Sequence, residues 1–220
     1  MSMLQGLINS WSNNFESAKY PLDFYFSHIN AIRKSASSVA LSSLIENMLC
    51  WKDGKIKEDT SGLIRVRGVL YSKALPKPNT YDSIKHRPIY QSEDFYYWAK
   101  DVMKLTSFNS EVVSEITYRF KIWSNNSIVL PSFLSHILNP QTFPIYDQHV
   151  ERTRRFFFNL PLNTDSTLLD INTYAEYHSF WLELLSELGM KNTFTAPIED
   201  IKKVDNALWT IGKYLKKPHK

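Results

Sequence analysis

The helical spacing of its apolar residues constrains this 220-residue chain most, and the clearest examples lie near the C-terminus. In "INTYAEYHSFWLELLSELG", Tyr174, Tyr177, Trp181, Leu184, Leu185 and Leu188 fall on one stripe, and Gly189 supplies the stop. In "APIEDIKKVDNALWTIGKYLKK", Ile201, Val204, Leu208, Ile211 and Leu215 align in the same way. Upstream, "SASSVALSSLIENMLCW" repeats the pattern through Val39, Leu41, Leu44, Ile45, Met48 and Leu49. "SEDFYYWAKDVMKL" and "SEVVSEITYRFKIW" each open with Ser followed by acids, which suit the positive end of a helix. "LPSFLSHILNP" predicts a short helix with Pro131 in its first turn and Asn139-Pro140 as its stop, and "QHVERTRRFFF" predicts another. Faces of this kind must be buried against one another, so the expected fold is predominantly all-α.

One segment breaks the pattern. Residues 53–90 hold Gly68, Pro76, Pro78 and Pro88, which make a long regular element unexpected there. Leu63–Tyr71 alternates briefly, with Ile64 and Val66 separated by Arg65, and is consistent with a strand or with a loop. The segment reads as an irregular connection between two halves or as a binding loop. No internal repeat or low-complexity run divides the chain, so residues 1–220 read as a single unit.

Composition narrows the chemistry. At 43% hydrophobic and 22% charged residues, the chain has a globular balance. Its 13 Phe, 12 Tyr and 6 Trp serve as core or as the walls of a pocket for a flat ring. Net charge is +4, with the excess confined to residues 1–110, so global charge is compatible with a nucleic-acid partner without pointing to one. Cys50 is the only cysteine, which excludes an internal disulfide, a thiolate zinc site and a four-cysteine iron–sulfur cluster; its apolar helix predicts inert burial. There is no His-Glu-x-x-His, no calcium-loop spacing, no glycine-rich phosphate loop and no G-x-S-x-G, so no metal or cofactor is expected. The opening residues lack a basic region followed by an apolar core, and no stretch approaches the ~20 apolar residues that span a bilayer. A cytoplasmic, nucleoid-associated protein is expected.

What remains is "FPIYDQHVERTRR", where Asp147 stands after an apolar approach and before a cationic run. An acid at a helix start faces the positive dipole end and backbone N–H donors, which favour its ionised form. As an N-cap, Asp147 needs no further role. As an anion facing a reactant, it can stabilise positive charge developing on a sugar or orient a water, as glycosidic cleavage requires.

"YDQHVER", with Asp147, His149, Val150 and Arg152 in register behind "LPSFLSHILNP", resembles the V-D-x-H-V-x-R-like motif of the helix-hairpin-helix base-excision DNA glycosylases. The resemblance covers roughly residues 110–160, as a degenerate hairpin followed by the segment bearing the catalytic Asp. It implies a bilobal helical fold with the active-site cleft between the lobes and double-stranded DNA as the partner. A base flipped out of the duplex would be hydrolysed from its sugar, with Asp147 acting at C1′ and water as nucleophile. Family members that also cut the strand carry a Lys on the hairpin's second helix; residues 131–140 have none, which implies a monofunctional enzyme. The family's hairpin glycines are missing from "SNNSIVLPSF", where Asn125 and Asn126 are the residues suited to left-handed turns.

On this resemblance, Asn125, Asn126 and Ser127 would hold a DNA phosphate. His136, His149, Arg152, Arg154 and Arg155 become candidate DNA contacts, although each arginine reads equally well as a solvated face. Tyr146, Trp51 and Trp98 become candidates for stacking on the extruded base. The base itself stays open: segment 53–90 leaves room for a bulky modified one, including the hypermodified bases of invading phage DNA. Binding without catalysis is the rival expectation, favoured by the missing glycines. A nuclease ranks last, because no second carboxylate is evident beside Asp147 to hold a metal.

Overall fold

The computed structural model describes residues 2–54, 56–58, 64–66, 69–71, 83–123, 127–163 and 169–216. Among them the chain is predominantly α-helical, as the spacing predicts. In order the helices are α1 (Met3–Asn13), α2 (Leu22–Lys34), α3 (Ser38–Lys52), α4 (Ser83–Tyr90), α5 (Glu93–Val102), α6 (Ser110–Tyr118), α7 (Val129–Leu138), α8 (Gln148–Phe157), α9 (Ile171–Glu187) and α10 (Ile198–Leu215). None of them is long and apolar enough to cross a membrane.

Between α3 and α4 lies a small antiparallel meander, β1 (Ile56–Glu58), β2 (Ile64–Val66) and β3 (Val69–Tyr71), paired in that order with Ile56 opposite Val66 and Ile64 opposite Tyr71. The brief alternation around Ile64 is therefore strand. The expectation of an irregular 53–90 segment needs correcting at its end too, since α4 forms there around Pro88. In so short a helix the proline removes a single backbone donor.

Most predicted starts and stops recur. Ser92 caps α5 as expected by accepting from the Phe95 amide, whereas α6 is capped by Asn109 in place of the expected Ser110. Ser37, which the spacing does not single out, caps α3 through the Ala40 amide. Gly189, at φ 87°, turns the chain out of α9, and Met190 N–H reaches back to the Leu185 carbonyl. The helix expected to reach Trp123 stops instead at Tyr118. Lys121 and Trp123 adopt left-handed φ angles of 56° and 51°, which no helix continues through. Two helices, α1 and α2, precede the first one that apolar spacing predicts.

The chain divides into two compact units, Glu16–Lys104 and a composite of Met1–Phe15 with Leu105–Lys220. In the first unit α3 packs against α2, α4 and α5. Leu41, Ile45, Met48 and Leu49 are fully buried there, together with Tyr25, Tyr90 and Phe95. Cys50 is buried and forms no disulfide, consistent with a structural role. Arg87 makes a bidentate pair with the buried Glu46 at 2.7 and 2.8 Å.

In the composite unit α1 and α8 both pack along α10. Gly212 makes the α8–α10 approach possible. A Cβ at that position would lie 1.8 Å from the His149 carbonyl oxygen and 2.8 Å from Thr153 Oγ1. Thr153 Oγ1 donates to the Leu208 carbonyl at 2.6 Å, tying the two backbones together. A second core forms where Tyr146, Tyr174 and Tyr177 meet, with ring centroids 5.1 and 5.3 Å from Tyr146, beside the buried Trp181.

Candidate functional site

Asp147 sits at the end of a turn fixed from several directions. His136 on α7 donates its Nδ1–H to the Phe143 carbonyl at 2.7 Å. Asn139 and Thr142 donate to the Leu105 carbonyl at 2.9 and 3.1 Å, and the Tyr174 hydroxyl donates to the Pro144 carbonyl at 3.1 Å. The turn therefore delivers the next residue at a set position, and that residue is Asp147 with an extended backbone. Its Oδ1 accepts the amide of His149 at 2.8 Å and that of Val150 at 3.3 Å. The carboxylate caps α8, as the structural reading expects, and it is only half-buried.

Two half-buried rings lie on this side of the composite unit. His149 meets the Trp209 ring edge-on at 5.1 Å, Phe15 meets Trp209 at 5.5 Å, and the Lys213 ammonium lies 5.0 Å from the indole centroid. The sequence reading omits Trp209. Trp209 falls off the stripe of Ile201, Val204, Leu208, Ile211 and Leu215, so its ring lies outside the apolar face that the spacing predicts for this helix.

The Asp147 charge is felt at two neighbours. Burial pushes the Tyr177 hydroxyl well above its ordinary range, and the carboxylates of Asp205 and Asp147 push it further. Burial holds the Arg152 guanidinium below its ordinary value, while Asp147 opposes that shift. Arg152 does not reach outward. Its Nη1 donates to the Gly212 carbonyl at 2.9 Å and lies 3.3 Å from His149 Nδ1.

The rest of the cationic run also turns inward, which corrects the expectation of a basic face. The carboxylate of Glu151, 1% exposed, accepts from Arg154 at 2.9 and 2.8 Å and from Arg155 at 3.0 Å, and the Tyr146 hydroxyl donates to it at 3.3 Å. Glu176 adds a second carboxylate to Arg154 at 2.9 Å. These bonds, led by those to Glu151, hold the Arg154 guanidinium above its usual value. Glu151 is thus a second acid one turn beyond Asp147, already surrounded by cations. Its spacing of three and four residues from Arg154 and Arg155 was the overlooked signal.

The stacking candidates need the same correction. Tyr146 is fully buried under Tyr174 and Tyr177. Trp51 and Trp98 are buried in the other unit: Trp51 donates to the Pro21 carbonyl at 2.9 Å and Trp98 packs on Phe95 at 5.3 Å. None of the three offers an open face. His136 is equally closed, and of the predicted DNA contacts His149, Arg155 and Ser127 keep partial exposure. Asn125 and Asn126 lie outside the described residues. Left-handed geometry in the α6–α7 connection is found at Lys121 and Trp123. The N-cap of α7 is Ile128, which has no side-chain oxygen to offer the first-turn amides.

No group of three or more metal-ligating side chains occurs among the described residues. A recess of 370 Å³ along α6, lined by Asn109, Val112, Tyr118 and Arg119 among others, contains none of the predicted site residues. Comparison with known proteins gives no match to a protein-family model, to a curated protein or to a solved structure.

Proposed function

We propose that this chain is a monofunctional DNA glycosylase that hydrolyses the N-glycosidic bond of a damaged or modified base everted from duplex DNA. One observation carries the reading: the half-buried Asp147 carboxylate, held on the α8 amides by a turn braced through His136, Asn139, Thr142 and Tyr174. Preorganised charge of this kind stabilises an oxocarbenium-like sugar without reorganising during the reaction. In the proposed step the C1′–N bond breaks and its electron pair leaves with the base. Water adds at C1′ and releases a proton, and an abasic site remains. Trp209 and His149 replace Tyr146 as the rings proposed to meet the base. The first-turn amides of α7, with Ser127, are proposed to hold a phosphate.

The test is base release from duplexes carrying modified bases, measured by mass spectrometry, with phage DNA containing hypermodified bases beside unmodified host DNA. Asp147→Asn suits it well, because asparagine caps helices as well as aspartate does and the fold should persist. Wild-type protein should release base and the variant should not; undiminished release by the variant would reject the mechanism. Equal release from phage and host DNA would reject hypermodified phage bases as the preferred substrate while leaving the glycosylase reading intact. A second reading, binding without catalysis, is favoured by the absence of glycine from the hairpin sequence "SNNSIVLPSF". Tight, salt-dependent duplex binding with no base released across the panel would select it.

A further inference from the structure

The opposite end of α8 carries a feature unrelated to the glycosylase reading. Phe156, Phe157 and Phe158 are 53%, 43% and 51% exposed, and Leu160 and Leu162 follow them at the surface. The turn presenting them is ordered. Asn159 takes a left-handed φ of 53°, Leu160 N–H donates to the Arg155 carbonyl at 2.8 Å, and Arg155 Nη1 donates to the Pro161 carbonyl at 3.0 Å. Beneath the patch, Phe157 and Phe158 rest on Phe180 of α9 at 5.6 and 5.8 Å. Glu183 lies three residues beyond Phe180 and Glu187 seven, so both share its face of the helix, and both are exposed.

Charge indicates what would cover this patch. Glu183 and Glu187 are exposed on the Phe180 face, the described charged residues of 156–190 are all acidic, and the bordering Arg155 is already bonded to Glu151. The exposed carboxylates of Glu183 and Glu187 beside the rings repel DNA, an anionic bilayer and an identical patch on a second copy. The five apolar side chains together expose roughly 400 Å², about half of what one partner covers in a standard globular interface. That area suits a helix-sized segment. We infer that Phe156–Phe158, Leu160 and Leu162, with Glu183 and Glu187, form a docking face for a basic amphipathic helix of a partner protein.

The probe is a fluorescent amphipathic helical peptide of leucine and lysine, titrated into the full chain by anisotropy, with a leucine–glutamate peptide as its counterpart. The basic peptide should bind and the acidic one should not. Phe156→Ser with Leu162→Ser, and separately Glu183→Lys with Glu187→Lys, should each weaken binding about tenfold or more. Circular dichroism would check that each fold is retained. Three results would overturn the inference: no binding of the basic peptide, equal binding of both peptides, or binding that neither variant weakens. Patch-dependent dimerisation in sedimentation, or patch-dependent binding to phosphatidylglycerol vesicles, would replace the proposed occupant with another.

Discussion

The two ends of α8 differ sharply. At the N-terminal end a charged group, Asp147, stays partly open to solvent while the turn behind it is braced by hydrogen bonds. At the C-terminal end three aromatic rings stand open, while the nearby charges of Arg154 and Arg155 are turned onto Glu151. Between them the Glu151–Arg154 pair is almost fully buried. The comparison teaches that a dense run of charge in the sequence need not be a charged surface. Here the run is internal structure, and the half-buried charge at the N-terminal end is the acid that precedes it.

The largest expected effect lies at the divide. Glu151→Ala leaves the Arg154 guanidinium buried beside Glu176 alone, and should cost about 3–5 kcal/mol in urea unfolding. A loss below about 1 kcal/mol would show that the central pair does not separate the two ends.

Acid should loosen the N-terminal end first. Burial lowers the pKa of His178 from 6.5 to about 4, and its backbone bond with Thr142 belongs to the turn that delivers Asp147. The native state therefore binds fewer protons than the unfolded chain between these values. The stability this provides is intact above about pH 6.5 and declines as pH falls toward 4, by up to roughly 3 kcal/mol. His28, also lowered by burial, acts in the same direction. His178→Phe should flatten the slope of melting temperature against pH in this window, and an unchanged slope would count against His178.

Gly212→Ala comes next, at about 2 kcal/mol by the same unfolding measurement, because its methyl group would overlap the His149 carbonyl. If the proposed function holds, base release should fall as well, since that carbonyl belongs to the turn of α8 that Asp147 caps. The smallest effect on stability is Asp147→Asn, within about 0.5 kcal/mol, paired with complete loss of base release. A large loss of stability there would make the N-terminal end structural and erase the contrast with the C-terminal end.

The sequence shows much of this molecule locally and little of it at long range. Ser92, Asp147 and Gly189 can be read as helix boundaries because each acts through its own neighbours. Arg152 was not readable in that way. Its direction depends on the Gly212 carbonyl on a helix far along the chain, and no spacing within α8 reports that partner. The return of α1 onto α10, which gives one unit two separate stretches of chain, has no local signature either. Glu151 and Trp209 are different cases. Both carry a local signal, an i,i+3/i+4 pairing in one case and a ring outside the apolar stripe in the other.

One hydrogen atom has a long reach here. Because position 212 of α10 lacks a methyl, α8 can lie close enough for Arg152 and Thr153 to grip its neighbour's backbone, and the placement of Asp147 inherits that closeness. Alterations on a different helix can therefore retune the acid while leaving its own neighbourhood in the chain untouched. If Asp147 is the reactive group proposed, a search that scanned only its surroundings in the chain would pass over Gly212, where the two helices make their close approach.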